Sequence, residues 1–174
     1  MARAPGPASW PVYHLGAAHG AEPSTTRWYG LDLATGAVRW HTNAGTPVRA
    51  RSLPRGDITP AVGFTGTPGV HTSPGTPYAV AEVESAHGVA HELVAVDVAT
   101  GGIRFAEQVD PAGMNAADRL PWGAENLSGG RVVVMFGGLY GDCGTYGAWV
   151  VAAPASGHAP ILSARAPTAG RGGI

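Results

Sequence analysis

The sequence predicts an all-β protein built from short antiparallel strands joined by tight turns. Three observations carry that expectation. Glycine and proline, 27 and 15 of the 174 residues, are abundant but follow no period, which excludes a collagen-like chain and points to turn chemistry. A strand–turn–strand unit recurs along the chain. No segment carries an apolar stripe of helical period, and residues 115–120 amount to one helical turn at most.

The recurring unit reads YGLDLATGAVRW at 29–40 and VAVDVATGGIRF at 94–105, with a weaker copy, VVAAPASG, at 150–157 that lacks the aspartate. Alternating apolar residues on the incoming strand give it one buried face. Asp32 and Asp97 are placed to accept backbone N–H groups of the turn that follows each. Thr35 with Gly36, and Thr100 with Gly101, supply the hydroxyl and the positive-φ residue such a turn requires. The outgoing strand ends in a large ring, Trp40 or Phe105, suited to packing between stacked sheets.

Further strands fit around these hairpins. Segments 63–70, 77–84, 92–97 and 102–108 make one set of four, and 121–127, 131–136, 149–153 and 159–163 a second. Four antiparallel strands per unit, repeated with aromatic anchors, is the pattern of a β-propeller blade. The expected organisation is therefore a partial β-propeller: an extended segment 1–27, a half blade 28–42, blades at 63–108 and 121–163, and the start of another at 164–174. The thirteen residues between His14 and Trp28 barely accommodate two strands of ~5–6 residues, so the first blade reads as truncated.

Composition narrows the function. All 11 basic residues are arginine, so Schiff-base and P-loop lysines are excluded. A net charge of −1 without an arginine cluster gives no nucleic-acid footprint. Cys143 is the single cysteine, so this chain alone builds no disulfide, zinc ribbon or iron–sulfur site. No run reaches the ~18 apolar residues of a membrane-spanning helix, and residues 1–10 lack the apolar core of an export signal.

The φ-Asp-φ-x-Thr-Gly-x-φ-x-Trp pattern ending at Trp40 resembles the repeat of pyrroloquinoline-quinone (PQQ)-like β-propellers. The segments WPVYH (10–14), LPRGDI (53–58), TGTP (65–68), GGLYGDCG (137–144) and PT (167–168) are similar to a group of such proteins from GC-rich bacteria. The resemblance implies rings of roughly six to eight blades and a place in the cell envelope or outside the cell. It also implies a cysteine where Arg55 stands, partnering Cys143; its loss leaves Cys143 a free thiol. A quinoprotein site stacks its cofactor against a vicinal disulfide and holds Ca²⁺ with oxygen ligands. One cysteine and no matching oxygen constellation argue against PQQ and calcium here.

The remaining candidates have plain alternatives. The loop at 137–147 could place Asp142, Cys143 and Tyr146 at a channel mouth, but its glycines read more readily as a tight crossover. His87 and His91 read as exposed loop histidines, because the region is broken by glycine. The RGD at 55–57 and the sequon at Asn126 carry no context that makes them meaningful. No nucleophile elbow, Walker loop or dinucleotide fingerprint is present. The sequence therefore predicts a non-catalytic scaffold or interaction module, a truncated product, that meets protein partners or itself through exposed blade edges. The alternative is the remnant of a PQQ-dependent oxidoreductase.

Overall fold

The structure, a computed structural model, describes residues 25–54, 58–71, 75–139 and 147–166. Its first element is a hairpin of β1 (Arg27–Leu31) and β2 (Val38–Asn43). A short ladder of β3 (Val48–Arg49) and β4 (Ala61–Val62) follows. The second sheet runs in sequential order through β5 (Gly69–His71), β6 (Thr76–Ser85), β7 (Gly88–Val96) and β8 (Ile103–Gln108). The third contains β9 (Arg119–Leu120), β10 (Asn126–Ser128), β11 (Arg131–Gly138), β12 (Trp149–Pro154) and β13 (Leu162–Arg165). Its order is β10-β11-β12-β13, with β9 on the far end of β11. All these ladders are antiparallel, and among the described residues no sheet closes on itself. Among the described residues the only helical pieces are single 3₁₀ turns, Ala50–Ser52 and Ala116–Asp118.

The second sheet is covered on both faces, which is why β6 and β7 are apolar almost throughout instead of alternating. Ala79, Ala81, Val83, Ala90, Val94 and Val96 pack with Trp28 and Phe64 on the side of the first hairpin. Tyr78, Val80, Leu93 and Ala95 pack with Val132, Val134, Phe136 and Val151 of the third sheet. The three β units therefore lie face to face in chain order, each joined to the next by an apolar layer.

Two expected strands are divided. In place of 63–70 stand β4 and β5, and in place of 121–127 stand β9 and β10. The intervening residues leave their sheets to meet each other: Thr67 N donates to the Gly123 carbonyl, and Glu125 N donates to the Thr67 carbonyl. Pro121, which has no N–H, stands where the second division begins. A third difference concerns β7, which starts at Gly88 and not at residue 92. Ser85 pairs with Gly88, so Ala86 and His87 form a two-residue turn and the glycine closes the hairpin without breaking a strand.

Candidate functional site

The turns of the first two repeats are built alike. Asp32 Oδ1 accepts hydrogen bonds from Ala34 N, Thr35 N and the Thr35 hydroxyl at 3.1, 2.9 and 2.9 Å. Asp97 Oδ1 takes the same donors from Ala99 and Thr100. The other oxygen of each carboxylate pairs with the arginine of the outgoing strand, Arg39 or Arg104. That arginine is the first cause holding each carboxyl below its ordinary range. Gly36 and Gly101 take φ of +72° and +76°, a conformation costly for a residue with a Cβ.

The rings connect one repeat to the next. Trp40 lies over Gly101, where an added methyl group would come within 2.5 Å of its Cε3. Its indole N–H donates to the Val98 carbonyl at 3.0 Å, and the Thr42 hydroxyl donates to the Gly101 carbonyl. Phe105 lies in the same way over Gly157 of the third repeat, and the neighbouring Tyr78 hydroxyl donates to the Ala155 carbonyl at 3.0 Å. One arrangement, ring over turn glycine, thus serves at both joints. At Gly36, by contrast, an added methyl group would meet no atom of the described residues within 4 Å.

Strand register refines the third repeat. Gly30 pairs with Trp40, Ala95 with Phe105, and Ala152 with Leu162. Leu162 therefore occupies the ring position, and Pro154 takes the place of the turn aspartate. The turn is also one residue tighter: Gly157 N donates to Pro154 O, three residues back, whereas Gly101 N reaches Asp97 O, four back. A residue-for-residue alignment on the glycine misplaces the strand by one position.

A buried acid–base cluster joins the second and third sheets. His91 on β7 and Glu82 on β6 are opposed in the ladder and both fully buried. His91 Nδ1 lies 2.7 Å from Asp110 Oδ1, and Nε2 lies 3.2 Å from the Arg119 carbonyl on β9. Glu82 Oε2 is 3.7 Å from Nε2, beyond hydrogen-bond length. With Asp110 ionised, both ring nitrogens face acceptors, so the ring carries both protons. Burial works against that charge, but the bonds to Asp110 and the contact with Glu82 outweigh it and push the pKa up to about 9. Burial raises the Glu82 carboxyl; it opposes ionisation of Asp110 as well, but there the His91 bond prevails and holds the pKa down. Phe136 sets its ring against the imidazole at 4.9 Å. The expectation of exposed histidines holds for His87, at the hairpin tip, and fails for His91. Sealed from solvent, His91 acts as a tie between sheets.

Glu125 is buried for a backbone reason. Pairing between β5 and β6 ends at Tyr78, leaving Val80, Glu82 and Glu84 with N–H groups on an unpaired edge. Thr46 and Gly63 supply carbonyls to Glu84 and Glu82, and Glu125 Oε1 accepts from Val80 N at 3.2 Å. Burial pushes the Glu125 carboxyl up to about 8. A carboxyl with a folded pKa above its unfolded value of ~4.3 loses folding stability as pH climbs between the two. Glu125→Gln, which keeps the acceptor, should therefore flatten that slope. Near pH 8 the variant should be more stable by a few kcal/mol on the order given by linkage. Urea unfolding at pH 5 and pH 8 checks this.

An open groove of about 480 Å³ runs between the second and third sheets, lined by His71, Thr76, Tyr78, Arg104, Phe105 and Ser156. Arg104 is committed there to Asp97. Asp142, Cys143 and Tyr146 lie outside the described residues. Among the described residues no helix is long and apolar enough to cross a membrane, and no three or more His, Cys, Asp or Glu side chains group to hold a metal ion. The chain matches no protein-family model, no curated protein and no solved structure.

Proposed function

We propose that the chain is a stretch of a PQQ-like β-propeller that serves as a non-catalytic scaffold or protein-interaction module. The observation that carries the reading is the stacking device. Ring-over-glycine contacts join the three units at two successive joints, and among the described residues one half of the same device recurs on each outermost unit, Gly36 on the first and Leu162 on the third. Repeat units that cover one another face to face need a partner for their outermost faces. Met135, Val150 and Leu162 at one end and Tyr29 and Val38 at the other are large apolar side chains in contact with solvent. The reading assigns no cofactor, and retention of PQQ in the presence of Ca²⁺ after gel filtration would remove that part of it.

The chain should associate as its concentration rises. Size-exclusion chromatography with light scattering, from low micromolar upward, should show mass growing beyond 17.6 kDa. A sharp peak at the monomer mass throughout would overturn the reading.

A further inference from the structure

We propose that copies of this chain stack head to tail, the third sheet of one copy receiving the first hairpin of the next. In this arrangement Leu162 of one copy lies over Gly36 of its neighbour. The proposal rests on the interaction-module reading and names its partner as a second copy.

Two exposed apolar faces among the described residues carry it. On the third sheet, Val132, Val134, Phe136, Val151 and Ala153 face the second sheet. The alternate residues Val133, Met135, Val150 and Ala152 therefore stand on the opposite face. Leu162 pairs with Ala152 and shares that face. It occupies the position that Trp40 and Phe105 hold in the earlier repeats, yet it is 59% exposed. On the first hairpin, Trp28 and Trp40 face the second sheet, whereas Tyr29, Leu31, Val38 and His41, paired in the ladder, point the other way. Val38 is 59% exposed there, beside a turn glycine that no described residue covers.

The two faces are complementary because each is one half of a contact the molecule already makes twice. The leading member of each joint offers a bulky residue from its outgoing strand. The following member offers the turn glycine of its own hairpin. Among the described residues, the third sheet has the first half without the second, and the first hairpin has the second without the first. Joining unlike faces makes a heterologous contact, which propagates until a ring closes or a filament grows. A two-fold dimer would instead set Leu162 against Leu162 and Gly36 against Gly36, and so would repeat neither of the joints within the chain.

The test uses variants that disable one face each. Leu162→Asp removes the tail and Val38→Arg the head; both positions are exposed, so neither should alter the far-UV spectrum or the unfolding midpoint. Met135→Arg provides a second tail variant should Leu162→Asp disturb β13. Each variant alone should lose association by about tenfold or more, the scale of one good apolar contact. Mixed in equal amounts, a tail-dead and a head-dead chain should form a one-to-one heterodimer and nothing larger, because each supplies the face the other lacks. If wild type associates but Val38→Arg associates equally well, head-to-tail stacking is wrong and the interaction-module reading stands. If the mixture of folded variants gives no heterodimer, the proposal also fails. If wild type itself stays monomeric, both fail together.

Discussion

Replacing His91 by leucine should lower the stability of the fold by about 3–5 kcal/mol, the cost of removing one partner from a buried charged group. The imidazolium is the only cation against Glu82 and Asp110 in the hydrogen bonds and contacts described above. Without it, Glu82 is left buried without its cation, Asp110 keeps its bonds from Gln108 and the backbone N–H of residue 91 but loses the imidazolium, and the bond to the Arg119 carbonyl that ties β7 to β9 is gone. Replacing Glu82 by leucine in the same chain should restore part of the loss, because a whole buried pair exchanged for apolar residues is close to neutral. The pH dependence has a definite sign. A histidine whose pKa is raised from 6.5 to about 9 contributes fully below 6.5, and its contribution is lost as pH rises through 9. Asp110, held low, contributes above its unfolded pKa and loses that contribution as pH falls through its depressed value. Urea unfolding at pH 6, 8 and 10, followed by tryptophan fluorescence in the Glu125→Gln background to remove that carboxyl's slope, reads the buried pair of His91 and Glu82, whose raised pKa values both remove stability as pH climbs. Equal stability at pH 6 and pH 10 would mean that His91 is neutral in the fold.

The contrast between His91 and Asp32 shows which features a sequence makes legible. Asp32, Thr35 and Gly36 lie within five residues of one another, and everything they bond in the turn is local. Such geometry follows from residue type and spacing, and the repeat at Asp97 doubles the signal. Trp40 was legible as a residue that packs between units, because a ring at the end of a half-exposed strand has few other uses. What it covers, Gly101, is 61 residues away in sequence number and follows only from the stacking. His91 and Glu125 were not legible for a related reason. Their burial depends on a strand that begins at Gly88 and on a ladder that ends at Tyr78. A glycine next to two histidines reads as a break when nothing shows that it closes a hairpin. The alternation of Glu82 and His91 with alanine and valine did carry a signal: ionisable residues in the middle of apolar runs, opposed at one pairing position. Reading it required the register, which periodicity alone does not supply.

The stacking device itself can be weighed with three alanine substitutions. Gly36→Ala should cost about 1–2 kcal/mol, the penalty of placing a Cβ in the left-handed region, since the space around it is open. Gly101→Ala carries the same backbone penalty at a φ of +76° and in addition drives a methyl group into the six-membered ring of Trp40. Overpacking of that kind adds about 1–3 kcal/mol, so the second substitution should be the worse by that margin. Trp40→Ala should cost roughly 3 kcal/mol, the low end for a tryptophan because the ring is only partly buried. Combined with Gly101→Ala it should cost less than the sum, because the ring that the methyl group strikes is no longer there. Unfolding midpoints for the three single variants and the double close this cycle. Should Gly36→Ala and Gly101→Ala prove equally costly, the ring would contribute nothing at the joint, and neither the stacking of the repeats nor the assembly of copies could rest on it.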